Sequence, residues 1–355
     1  MIRKEDNLAL RGIAILFIAI HNLVHLLGYA KENEKSFHIE RWDDFFSTFT
    51  HPSVDITWNI FSFIGWVGVP VFIFLSGYGL VMKYETGKSP LETKKYLLTN
   101  FKKLFWLMLP AVCFFVIWSF CHGNFANGLK KILYLTQMNN LFYPINPFAP
   151  GVYWYFGFTF QLYIVYLIYH HYRNKAFLVT TFILSFVILL FFPNSLYGQV
   201  ALSYLKNNFF GWLPVFLLGI YVGRQSDLLA NVFSCVKKRW VWLVFSLLCF
   251  IFTIMLNSNY YLWHFLPFMA LFMFISFVKG ISKDSIAGNC LLWIGRLSSS
   301  IFVVHPIART LTMGLASSLK FQHISILVCI YLSIVVLLAI YYAKLYKALR
   351  LRFVH

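Results

Sequence analysis

Apolar runs long enough to cross a bilayer follow one another almost from end to end of the chain, each closed by a short polar stretch. A spanning helix needs about 20 largely apolar residues. Ten such runs fit, at 8–29, 58–82, 104–120, 152–169, 176–192, 209–222, 240–256, 260–277, 290–311 and 324–342. The sixth is short and carries Pro214, and the seventh and eighth are parted only by Asn257, Ser258 and Asn259. The pattern predicts an all-α integral membrane protein of about ten transmembrane helices. Residues 1–355 form one domain in this reading, with no appended soluble part.

Charge orients the helices. Basic residues close to span ends stay on the cytoplasmic side, and most of the 30 lysines and arginines fall in alternate connections. Arg3, Lys4, the lysines between 83 and 103, Arg173, Lys175, Arg224, Lys237, Lys238, Arg239, Lys279, Lys283 and the basic residues after Lys344 share one side. Both termini are therefore expected in the cytoplasm, and one missed helix would invert every later loop. The first run holds Arg11, His21 and His25 and lacks a small-residue cleavage site, so it reads as a retained span.

Composition excludes a soluble alternative. Hydrophobic residues make up 60% and charged residues 12%, against roughly 25% charged in soluble domains. The net charge of +18 is then an orientation signal and an attraction to anionic membrane lipids; no nucleic-acid motif accompanies it. Six cysteines lie scattered without metal spacing and read as small buried side chains, so no metal centre is expected. Half of the 12 acidic residues (Glu32, Glu34, Glu40, Asp43, Asp44, Asp55) sit in or beside the first outer connection. The Pro-rich piece 143–150 is expected to be extended and to lie over the outer surface.

Ionisable side chains within spans are costly and mark functional sites by default. On a helix turning about 100° per residue, Arg11 and His25 share a face roughly 21 Å apart, with Asn22 on that face and His21 about 80° off it. Histidine suits general-base work because it titrates near neutrality. The plainer reading has Arg11 as an inner-interface anchor and the histidines as interhelical hydrogen-bonding groups. His305 and Arg309, one turn apart, form a second pair after Gly295-Arg296-Leu297-Ser298-Ser299-Ser300; the plainer reading is a polar helix contact. Lys94, Lys95, Lys102 and Lys103 could dock a phosphate-bearing cofactor or simply mark the cytoplasmic side. Trp154 belongs to an outer aromatic belt or to a substrate platform.

These residues resemble the membrane-bound acyltransferase family 3, which includes bacterial O-acetyltransferases of surface polysaccharide and peptidoglycan. The resemblance runs through Leu10-Arg11-Gly12-Ile13-Ala14-Ile15-Leu16 into His21, then Gly68 to Tyr78 with Ser76, Lys102-Lys103 ahead of Pro110, Trp154-Tyr155-Phe156, Gly211 to Gly219, and Gly295 to Ser300 leading to His305-Pro306. It implies a multi-pass enzyme of the bacterial cytoplasmic membrane that delivers an acyl group, in most members acetyl, from cytoplasmic acetyl-CoA or another acyl-CoA to a glycan or glycolipid hydroxyl. No bound cofactor is implied. The family signature, a basic residue and ten intervening residues before the histidine, lands here on Asn22. His21 lies one position early and His25 one turn late; His25 shares the face of Arg11 and is preferred, with His21 its rival. Lys95, Lys102 and Lys103 are the donor-binding candidates; Asn22, Ser76, Trp154, His305 and Arg309 are expected to line the site. The reading from a different class is a transporter or flippase whose permeation path uses the same stripe.

Overall fold

The computed structural model describes residues 2–50, 55–87, 89–142, 151–225, 236, 238–319 and 323–353. The Pro-rich piece 143–150 lies outside them. Among the described residues every regular element is helical.

In chain order the helices are α1 (Lys4–Val24), α2 (Ile39–Thr50), α3 (Ile56–Ile64), α4 (Gly68–Val81), α5 (Thr93–Cys121), α6 (Phe125–Lys131), α7 (Trp154–His171) and α8 (Lys175–Leu190). They continue with α9 (Leu196–Asn207), α10 (Leu213–Arg224), α11 (Arg239–Met255), α12 (Tyr260–Trp263), α13 (Leu266–Gly280), α14 (Ile286–Leu319) and α15 (Ile324–Phe353). Among the described residues seven helical segments are long and apolar enough to cross a membrane: Lys4–Leu27, Ile56–Thr86, Thr93–Cys121, Gly151–His171, Arg239–Ser258, Ile286–Ala316 and Ile324–Leu349. Three more apolar helices, Lys175–Leu190, Phe209–Arg224 and Leu266–Gly280, are shorter. Each matches one of the ten predicted runs. The chain is an all-α, multi-pass membrane protein.

Two predicted runs are interrupted, 58–82 by the 3₁₀ turn Gly65–Val67 between α3 and α4 and 260–277 by a turn. Residues 260–277 divide at His264 and Phe265 into α12 and α13, and Pro267 sits in the first turn of α13. Proline has no amide hydrogen to donate and costs least at such a start. The first outer connection is likewise more ordered than a polar loop. Its α2 buries Trp42 and Phe45, with Phe45 stacked on Phe63 at 4.2 Å, and exposes Asp43, Asp44 and Phe46. An apolar stripe with a charged opposite face is the pattern of an interfacial helix.

The chain divides into two compact units. The first comprises residues 1–89, 172–206 and 210–298. In it α1 packs against α3, α4 and α13, α10 lies on α4 and α8, and α11 pairs with α13. The approach of α1 to the start of α4 is close because glycine occupies the contact: a Cβ on Gly65 would stand 2.6 Å from that of His21. Trp66, Trp212 and Trp263 are fully enclosed. Outward-facing Leu247 and Ile251 of α11 are exposed, as a lipid-facing surface requires.

The second unit comprises residues 90–171, 207–209 and 299–355, and holds α5, α6, α7, α15 and the latter half of α14. Buried tyrosines tie its helices together: Tyr153 Oη donates to the Val303 carbonyl at 2.7 Å, and Tyr342 Oη to that of Leu107. Asn140 Nδ2 donates to the Trp154 carbonyl at 2.8 Å and to that of Asn207. Each bond satisfies a side-chain donor that apolar surroundings would otherwise leave costly.

Candidate active site at the end of the first helix

The first helix delivers its two histidines where its backbone tightens. α1 ends at Val24, a short 3₁₀ turn carries His25 to Leu27, and Gly28 reverses the chain with φ of 85°, a conformation that favours glycine. His21 and His25 stack with ring centroids 5.4 Å apart. His21 is buried, and its Nδ1 lies 3.2 Å from the Phe61 carbonyl oxygen. Donation of an Nδ1 hydrogen to that carbonyl places the lone pair of His21 on Nε2.

The reversal at Gly28 brings back a carboxylate. Glu32 Oε2 lies 2.8 Å from His25 Nδ1, with the two side chains 20% and 33% exposed. Burial raises the Glu32 pKa, but the hydrogen bond from His25 and the charges of both histidines outweigh it and hold the group down at about 2. An anionic carboxylate on Nδ1 fixes the imidazole orientation and leaves Nε2 as the basic nitrogen, the arrangement by which a third group orients a general base. Ligand-capable atoms of His21, His25 and Glu32 all lie within 4.8 Å of one another. Two histidines and one carboxylate are also a donor set suited to a divalent transition metal.

Glu32 is held by its loop, and the loop by distant residues. Arg41 Nη1 donates to the Glu32 carbonyl at 2.6 Å, and Asn33 and His38 exchange two hydrogen bonds. Trp263 Nε1 donates to the Asn33 carbonyl at 2.6 Å, the Phe37 amide to Gln199 Oε1 at 2.7 Å, and Lys206 Nζ to the Glu34 carbonyl at 3.3 Å. Lys206 is itself buried, with Nζ 3.4 Å from the centre of the Trp263 ring. Burial pushes its ammonium down to about 7, against the opposing charge of Glu34.

A family model described as an acyltransferase domain matches residues 9–343. The chain belongs to the acyltransferase 3 family. With its array of apolar helices it is a membrane acyltransferase. No curated protein and no solved structure matches the chain. The match begins beside Arg11 and encloses both histidines and Glu32.

The other expected site residues of this acyltransferase have varied surroundings. Arg11 and Asn22 are half-buried on α1, and Asn22 Nδ2 donates to the Ile18 carbonyl of its own helix. Ser76 Oγ likewise donates to the Phe72 carbonyl, one turn back. In the second unit, Lys95, Lys102 and Lys103 are exposed on α5. Trp154 is buried, its ring against Tyr155 and Phe158, which leaves it little open face for a substrate platform. His305 is fully buried with Nδ1 3.2 Å from the Ile301 carbonyl, and Arg309 lies within electrostatic range of Tyr153 and Tyr331. Glu32 and Lys206 were absent from the expected site. The acidic bias of the first outer connection was the sequence signal for Glu32; Lys206, beside Asn207 and Asn208, reads as an ordinary loop lysine.

Proposed function

We propose that this membrane acyltransferase is an O-acyltransferase, moving an acyl group, acetyl in the simplest case, from a cytoplasmic coenzyme A thioester to a hydroxyl of a surface glycan or glycolipid. The cell membrane of a bacterium, ten spans and two cytoplasmic termini complete the reading. Its support is family membership together with the charge pattern of the loops. The observation that carries the mechanism is the 2.8 Å contact between His25 and Glu32.

In the proposed step His25 Nε2 takes the proton of the acceptor hydroxyl as its oxygen attacks the thioester carbonyl. A new carbon–oxygen bond forms, the carbon–sulfur bond breaks, and the thiolate leaves to be protonated. Glu32 stabilises the imidazolium formed in between, and a desolvated carboxylate does this more strongly than one in water. His21, held by the Phe61 carbonyl, lines the same site and remains the rival base. Partial exposure favours His25, since the base must reach the acceptor. The family relation favours covalent transfer over the permeation reading of the polar stripe.

The test is purified protein in a lipid bilayer, supplied with acetyl-CoA and a glycan acceptor, with free thiol and acetylated glycan both measured. Equal release of the two supports the proposal. Glycan movement across the bilayer without thiol release would replace it by the transporter reading.

A further inference from the structure

At the opposite end of α1 from the histidines, the first unit encloses a polar cavity of about 410 Å³. Four cations reach it from three parts of the chain: Arg3 ahead of α1, Arg239 at the start of α11, and Lys279 and Lys283 at and beyond the end of α13. Asp6 organises two of them. Its carboxylate takes Lys279 Nζ on one oxygen at 2.8 Å and Lys283 Nζ on the other at 3.3 Å. Lys283 also donates to the Val278 carbonyl at 2.7 Å. Two ammonium groups are thus fixed side by side around one carboxylate, and Arg3 and Arg239 add charge at the exposed edge. Glu5 and Asp284 are there too, so the lining keeps one net positive charge with several donors in reach. The indole of Trp242 forms part of the wall, its ring oriented by an Nε1 hydrogen bond to the Val236 carbonyl at 3.1 Å.

Fixed ammonium groups and flexible guanidinium forks are suited to phosphate, and an indole face accepts a flat heteroaromatic ring. We infer that this cavity binds the 3′-phosphoadenosine end of the acyl-CoA donor. The inference rests on the acyl-CoA reading above. Asp6 precedes His21 by fifteen residues, which along a helix is roughly 22 Å. A donor anchored at one end of α1 can then extend its thioester arm toward the histidines at the other. Lys95, Lys102 and Lys103 lie on α5 of the second unit and in this proposal keep the plainer role of marking the cytoplasmic side.

An anionic lipid headgroup carries the same phosphate chemistry, so the experiment separates the two sources. Full-length protein in phosphatidylcholine nanodiscs is titrated with coenzyme A and with 3′-dephospho-coenzyme A, and then with coenzyme A in discs containing phosphatidylglycerol. The expected result is preferential binding of coenzyme A, weakened about tenfold by Arg3→Ala or Arg239→Ala, as for a lost charged hydrogen bond. The preference over the dephospho form should shrink in the same variants, Arg239→Lys should restore part of the loss, and Lys102→Ala with Lys103→Ala should bind as wild type. Both arginines are exposed, so their replacement leaves the fold intact, checked by an unchanged melting temperature. Affinity lost in the Lys102 and Lys103 double variant but kept in both arginine variants would overturn the assignment. So would equal affinity for both nucleotides with displacement by phosphatidylglycerol, which marks a lipid site. Failure of wild-type protein to bind any coenzyme A would remove the donor reading itself, a separate outcome from a misplaced site.

Discussion

The two compact units each hold a histidine among the candidate site residues, and they provide for it differently. In the first, His25 meets a carboxylate at 2.8 Å. In the second, His305 lies against a backbone carbonyl and the Phe302 ring. The sequence underlies this contrast: of the 12 acidic residues only Glu92 falls in the second unit. A neutral carbonyl can orient an imidazole but stabilises a developing imidazolium less than an anion does, since charge-assisted bonds are roughly twice as strong. Under the proposed mechanism base chemistry belongs to the first unit, whereas buried tyrosines of the second tie its helices.

The largest expected effect tests that division directly. His25→Ala should lower turnover by about a hundredfold to ten-thousandfold, the usual contribution of a general base. His305→Ala should cost less than about tenfold, in line with the loss of one hydrogen bond of about 1 kcal/mol to the carbonyl of its own helix. Thiol release from acetyl-CoA in reconstituted protein measures both, and a dead His305 variant beside an active His25 variant would invert the comparison. Should His21→Ala alone be inactive, the base is the buried histidine and Glu32 acts at one remove.

Next in size is Glu32→Gln, which keeps the shape and removes the charge. Losing a charged hydrogen bond of about 1.5–3 kcal/mol corresponds to roughly ten- to a hundredfold in turnover. A Michaelis constant for the acceptor that stays near wild type while turnover falls would show that the carboxylate serves the transition state. Unchanged turnover would leave the His25 contact with a structural role only.

Smaller again is Gly65→Ala, whose Cβ would crowd that of His21 at 2.6 Å. Overpacking of this kind costs about 1–3 kcal/mol, read as a lower melting temperature in detergent. If the variant melts as wild type, α1 has room to shift and the histidine geometry is less constrained than the contact implies.

The smallest effect is a slope with pH. An unfolded Lys206 titrates near 10.5, whereas burial brings the folded group to about 7. Between those values the unfolded chain holds the extra proton, so stability should rise with pH from about 7 upward, by less than about 1.4 kcal/mol per pH unit. The face of Trp263 favours the cation and reduces the slope. Lys206→Met should flatten it, while Lys131→Met should change it less, because Lys131 of the second unit is only partly withdrawn from water. Melting curves across that range decide the matter; a slope that survives Lys206→Met belongs to another group.

The helices were legible because each apolar run records its own burial in lipid, and Pro267 marks the point where one of them divides. The histidine pair was legible too, since both residues lie one turn apart at the end of the first apolar run. The partnership of His25 with Glu32 was not. It requires the φ of 85° at Gly28 and a loop held by Gln199, Lys206 and Trp263, none of which adjoins it in sequence. The donor cavity proposed above escapes a reading of the sequence for a related reason. Lys102 and Lys103 announce themselves as neighbours, whereas Asp6, Arg239 and Lys279 converge only in three dimensions.

The clasp on the Glu32 loop also sets a schedule for biogenesis. Its three long hydrogen bonds join residues 162, 172 and 230 positions apart. The histidines therefore emerge from the ribosome early, and the last grip on the loop arrives only with Trp263. At about 5–20 residues per second, the nascent chain spends upwards of ten seconds with its histidine pair present and the Glu32 carboxylate not yet secured. The site is finished late by construction, and chains truncated before Trp263 should insert into the membrane without acquiring activity.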